Sequence, residues 1–251
     1  MKLKYCYWCG KQATSMEHIP PKCLFPEKKD VEAILNKSYR NNLITVPSCD
    51  EHNLRKSHND EYLMVHLASV VGNNSLAYLH TQTKVKRSLE YNRNLIDIER
   101  KGIIANRSSI SPVLIVNADS SKLIHSFESI ARGLYYHEFH KVFKGKVTII
   151  STLLKHPEYP DASVFIDESL HLIKREQKYW LSEVKGNNPE VFTYQISPTD
   201  DLGTFTIFLK FYESIEVYII MSSFTKEDEL MLKPLSQSFL NNAIKRKNEV
   251  K

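Results

Sequence analysis

The chain has no apolar run approaching the roughly 20 residues of a membrane-spanning helix, so no membrane partner is expected. Its first residues, Met1-Lys2-Leu3-Lys4-Tyr5-Cys6, have no apolar core of the kind that drives secretion, and the reading is of a cytoplasmic protein. Cysteine is scarce, 4 in 251 residues, and three of the four stand in knuckle-like settings. That suits metal binding in a reducing compartment better than a disulfide framework. No sign of charge dominates: a net charge of +5 favours a polyanionic partner only weakly at this length. No internal repeat is visible. The length suffices for one large domain or two small ones with a sizeable core.

Chemistry concentrates near the N-terminus. Cys6-Tyr7-Trp8-Cys9 and Cys49-Asp50-Glu51-His52 are two pairs, each with a two-residue gap that lets both side chains of one turn reach a common ion. Together they complete a closed, four-ligand structural zinc site, because Zn²⁺ favours four S/N ligands at tetrahedral angles. Cys23, between Lys22 and Leu24-Phe25, is the spare thiol; it is a rival to His52 as fourth ligand, although a buried small hydrophobe is its plainer role.

Along the chain, residues 1 to about 62 are rich in Cys, His, Pro and Asn and read as turns and short strands. Strands are expected beside Ile19-Pro20-Pro21 and at Leu43–Val46, a polar insertion at Glu27–Asn41, and a helix from Asn53 through Val65. Leu63, His66, Leu67, Val70 and Val71 recur at helical spacing, and after Gly72-Asn73-Asn74 a second helical stretch carries Lys84, Lys86 and Arg87, with the helical pattern reaching about residue 103. Pro112–Val116 and Lys146–Ile150 read as strands. A long helix capped by Ser120 carries Leu123, Phe127, Ile130 and Leu134, and a further helix is expected at 169–182. Val191–Ile196, Thr204–Leu209 and Ile215–Ile220 alternate as antiparallel strands, and the chain ends in a basic tail, Lys245–Lys251. His137 and His140 form an i, i+3 pair that is explained more simply by a helix packed on a sheet than by a metal.

In order, Cys6-x-x-Cys9, Glu17-His18-Ile19-Pro20, Asn42-Leu43 and Cys49-x-x-His52-Asn53-x-x-Lys56 resemble the zinc-knuckled HNH endonucleases, a likeness carried by the first 60-odd residues. Ala131-Arg132-Gly133-Leu134-Tyr135-Tyr136-His137-Glu138 is similar to a second segment of a bacterial subset of that superfamily, so the two halves are expected to travel together. The resemblance implies an α+β protein: an N-terminal zinc-clamped ββα-metal module over residues 1–68, then a helical and antiparallel-sheet region, 69–251, serving recognition, oligomerisation or regulation. It implies a metal-dependent endonuclease acting on nucleic acid, DNA in the first instance. His18 would be the general base, a role that an imidazole with a pKa near 6.5 suits. Glu17 and Asn53 would hold Mg²⁺ or Mn²⁺, and Asn42 (or Asn41) would be the middle asparagine that orients His18. Lys22, Lys56, Lys84, Lys86 and Arg87 would contact the phosphate backbone.

The chain departs from the commonest pattern at four places. Glu17 stands where Asp or His is usual, His52 replaces a fourth cysteine, Asn42 lies two residues further from the second knuckle than is common, and Asn53 replaces the final histidine. Asp60, seven residues after Asn53, either supplements the metal site or supports it from behind. The rival function is a zinc-finger module that binds nucleic acid or protein without cutting.

Overall fold

The computed structural model describes residues 5–54, 57–105 and 110–223. Lys56 and the basic tail lie outside them. The fold is α+β, and it begins with a short antiparallel hairpin, β1 (Ser15–His18) against β2 (Thr45–Ser48), with Glu17 opposite Val46 and His18 opposite Thr45. The segment between these strands is not wholly irregular. It contains α1 (Lys28–Leu35), which ends where Asn36 adopts a left-handed conformation at φ 43°, a state that Asn tolerates better than most residues.

After β2 the chain turns directly into α2 (Asp50–Leu54). Asn53 therefore lies inside this helix and does not open it. The Cys49 carbonyl accepts from the backbone N–H groups of His52 and Asn53, at 3.1 and 3.0 Å, so the second knuckle and the helix start are one structure. Next comes α3 (Ser57–Ala68), which ends before Gly72, whose φ of +94° a side chain would resist. Asn74 caps α4 (Ser75–His80), accepting from the Ala77 N–H at 3.0 Å. The helix continues through one wide turn at Thr81–Val85 into α5 (Lys86–Tyr91).

The helical expectation fails beyond this point. Asp97–Ala105 is a strand, β3, paired antiparallel with β4 (Ile110–Asn117) as a two-stranded ribbon. Asn92 ends the helix, and the β-branched residues Ile98, Ile103 and Ile104 find partners across the ribbon, a non-local gain that helical periodicity does not register. The long helix α6 (Ser120–Phe139) is present, but Asp119 caps it, its carboxylate accepting from the N–H groups of Ser121 and Lys122. A five-stranded antiparallel sheet follows in the order β5 (Lys146–Ile150), β9 (Ile215–Ser222), β8 (Thr204–Phe211), β7 (Phe192–Ile196), β6 (Lys185–Asn188). Between β5 and β6 lies α7 (Pro160–Gln177), which begins nine residues before the expected 169 because Pro160, at the first position, suits a helix start.

The sheet has two apolar faces. Val217, Ile219 and Met221 of β9 join α6 and the N-terminal elements in one core, whereas Tyr218 and Phe208 point the other way and pack with Ile166 and Leu170 of α7. This alternation is what a strand buried on both sides requires. The first core is continuous from Cys6 to Met221, so buried side chains of residues 1–68 and of 69–251 belong to one cluster.

Candidate functional site

Cys6, Cys9, Cys49 and His52 come together. Their ligand atoms all lie within 4.8 Å of one another. The first knuckle is a tight turn: Gly10, at φ +74°, donates to the Cys6 carbonyl at 3.0 Å, and Cys6 donates to the Lys11 carbonyl at 2.7 Å. It sits against β2 through a bond from the Tyr7 N–H to the Pro47 carbonyl at 2.9 Å. The Cys9 and Cys49 sulfurs are 3.8 Å apart, close to the ~3.8 Å edge of a tetrahedron with Zn–S bonds of about 2.3 Å. His52 presents Nδ1 at 3.2 Å from the Cys49 sulfur. Burial holds the His52 imidazole toward its neutral form, which is the form that ligates. Burial pushes the Cys6 thiol up, but backbone hydrogen bonds from Cys9, Cys49 and Trp8 outweigh it and the net direction is down, toward thiolate. Three thiols and an imidazole arranged in this way fit a closed structural zinc. Cys23 is elsewhere, its thiol donating to the Asp60 carbonyl at 3.2 Å.

Trp8, between the two cysteines of the first knuckle, stacks with both His52 and His125 of α6, at centroid distances of 5.3 and 5.4 Å. The Arg132 guanidinium lies 5.1 Å from the Trp8 ring and donates to the Phe143 carbonyl at 2.6 Å. Helix α6 thus clasps the knuckle. It also closely approaches the residue that follows β1: a Cβ on Gly133 would lie 2.6 Å from side-chain atoms of Ile19. The two separated stretches of family resemblance are therefore neighbours in space, and Gly133 allows the helix to reach the residue after His18.

Beside the Cys₃His cluster is a cleft of about 350 Å³ whose walls include Glu17, His18, Lys22, Asn53, Asp60 and Lys84. Successive residues of β1 differ in burial, Glu17 being 5 % exposed and His18 half-buried. Asn53 donates through Nδ2 to Ser15 Oγ at 2.7 Å, which commits the amide nitrogen and leaves Oδ1 as the ligand atom. Glu17, Asn53 and Asp60 each carry side-chain oxygens and line this cleft. The His18 pKa is lowered, by burial first and then by the nearby Lys22 and Arg40 charges, with Glu17 opposing. Lys84 reaches the cleft from the helix of the C-terminal region and is tethered to Glu27 at 2.8 Å. Hydrogen bonds from Lys84 and Lys29 hold the Glu27 carboxyl down at about 2.

The remaining expected residues fall elsewhere. Asn42 is exposed, adopts φ 54°, and gives its carbonyl to Asn187 at 2.8 Å; neither it nor Asn41, whose carbonyl faces Asn188 at 3.5 Å, borders the cleft. Arg87 is turned to Asp30 through two bonds of 2.9 and 2.7 Å. Lys86 lines a different groove, between its own helix and the β3–β4 ribbon. Residues without any motif also enter the site. The Tyr7 hydroxyl stands 3.4 Å from Glu17 Oε1 and 2.8 Å from Ser129 Oγ of α6. The nearest sequence signal for this contact is the Ala131–Glu138 stretch, just beyond Ser129.

Among the described residues no helix is long and apolar enough to cross a membrane. Comparison with protein-family models, with curated proteins and with solved structures returned no match.

Proposed function

We propose that the protein is a metal-dependent endonuclease of the HNH kind that hydrolyses phosphodiester bonds in nucleic acid, DNA in the first instance. The reading rests on one observation: Glu17, His18, Lys22, Asn53 and Lys84 border a single cleft next to the Cys₃His cluster. A structural zinc on Cys6, Cys9, Cys49 and His52 fixes α2 against the first knuckle and thereby sets Asn53 relative to β1. Glu17 and Asn53 would hold Mg²⁺ or Mn²⁺. Such an ion supplies positive charge for the developing negative charge and the leaving 3′-oxygen. His18 takes a proton from the attacking water, a task helped by its preference for the neutral imidazole. Lys22 and Lys84 hold the phosphate, and binding through such contacts is sensitive to salt and only weakly selective for sequence. Residues 1–68 carry the chemistry, and 69–251 supply Lys84 and the α6 clasp.

Plasmid cleavage by zinc-loaded protein with Mg²⁺ or Mn²⁺ tests the proposal, beside EDTA and His18→Ala controls. Nicking or linearisation that needs the metal and is lost in His18→Ala with zinc retained is the expected result. Binding without cleavage of DNA or RNA under any metal, equal in wild type and His18→Ala, would identify a binding module instead.

A further inference from the structure

Glu17 is a buried carboxylate of the cleft, at 5 % exposure, and such a group needs hydrogen-bond donors to keep one orientation. Tyr7 supplies a donor to it. Tyr7 is completely buried, and its hydroxyl lies 3.4 Å from Glu17 Oε1 and 2.8 Å from Ser129 Oγ, itself completely buried on α6. A phenol has one proton and accepts readily. The assignment that satisfies all three groups has Ser129 donating to Tyr7 and Tyr7 donating to Glu17. The chain of bonds runs from a helix of the C-terminal region, through the residue after Cys6, to the carboxylate on β1.

We propose that Tyr7, held by Ser129, is a positioning residue for Glu17, so that α6 completes the site for the divalent ion. This rests on the reading of Glu17 as a metal ligand. Carboxylates that ligate metals are themselves oriented by hydrogen bonds, and removing such a partner weakens metal affinity or activity by about 10–100-fold. The role differs from that of Gly133 or Arg132, whose contacts set only the distance and the packing of the helix.

The test is Mn²⁺ titration of the zinc-loaded full chain, followed by the paramagnetic signal of free Mn²⁺, alongside the Mn²⁺ dependence of plasmid cleavage. Tyr7→Phe is expected to raise the Mn²⁺ dissociation constant about tenfold and the half-saturating Mn²⁺ for cleavage in parallel. Cleavage at saturating Mn²⁺ should stay near wild type. Ser129→Ala should act in the same direction and more weakly, and the double variant should be no worse than Tyr7→Phe alone. A merely structural role would lower zinc content and scale cleavage down at every Mn²⁺ concentration without moving the half-saturation point. Should Tyr7→Phe fail to fold, Ser129→Ala decides, since it leaves the Tyr7 ring in place. Wild-type Mn²⁺ affinity in a folded variant, with Glu17→Gln impaired, overturns the positioning role and leaves the nuclease reading standing. A wild-type protein that binds no Mn²⁺, and that Glu17→Gln leaves unchanged, overturns both.

Discussion

On the proposed reading His18 would act as a base, which requires a neutral imidazole, and its surroundings favour that state. Burial, Lys22 and Arg40 all lower its pKa, against the opposing Glu17. The folded value therefore lies below the usual 6.5, and the acid limb of cleavage should fall below pH 6.5 as well. Lys22→Gln removes one of the positive charges, so the limb should move up toward the ordinary histidine value. A pH–rate profile at saturating metal and DNA checks the direction; an unmoved or lowered limb would remove Lys22 from the account. Individual residues of this kind were legible where chemistry and spacing coincide: the two knuckles, Glu17-His18 and Asn53 were all marked by their neighbours in sequence. Tyr7 and Ser129 were not, because a tyrosine beside a knuckle and a serine within a helix carry no mark of a contact spanning more than a hundred residues.

Among the elements, α6 has the most consequential position. Its N-cap is tied to α3 by the Asp119 N–H, which donates to the Tyr62 hydroxyl at 2.6 Å. Its middle meets Tyr7, Trp8 and Ile19, and its far end reaches the sheet through Glu138, which accepts from Tyr194 and pairs with Lys185, each at 2.6 Å. Gly133→Ala would push against Ile19, which is 1 % exposed and has little room to turn. Overpacking of this kind costs about 1–3 kcal/mol, and pairing it with Ile19→Val should recover part of the loss. Chemical denaturation of the single and double variants measures both. The sequence announced α6 through its apolar spacing but missed β3 and the true start of α7. Spacing reports a local face, while β3 depends on a partner strand and the start of α7 is marked by Pro160, a start signal that apolar spacing alone does not carry.

At the scale of the whole molecule, a buried histidine ties distant segments together. His80 is completely buried, its Nδ1 3.1 Å from the Tyr212 hydroxyl, which donates to the Leu24 carbonyl at 2.7 Å. Burial drives the His80 pKa down to about 3. An unfolded chain takes up this proton near pH 6.5 and the folded one only near 3, so acid favours unfolding in that window while stability above pH 6.5 is unaffected. The slope is up to about 1.4 kcal/mol per pH unit for one such group. Denaturation at pH 7 and pH 5 should show His80→Gln less stable than wild type at the higher pH, with a smaller loss between the two. The contact also ties Leu24, before residue 68, to His80 and Tyr212, beyond it.

The chain has two tryptophans, and the fold sets them in different surroundings. Trp180 packs with the α7 cluster on the outer face of the sheet, whereas Trp8 stacks with His52 and His125 and lies near Arg132. Because the ring shares its turn with Cys6 and Cys9, its emission should track the knuckle. Extracting zinc from a Trp180→Phe variant with a chelator should release the stacked histidines and change the intensity and wavelength of the remaining fluorescence before secondary structure is lost. A far-ultraviolet signal that disappears in step with the emission would show instead that the knuckle and the body melt as one. In the first case, Trp8 is an optical gauge of zinc occupancy placed within a few ångströms of the metal.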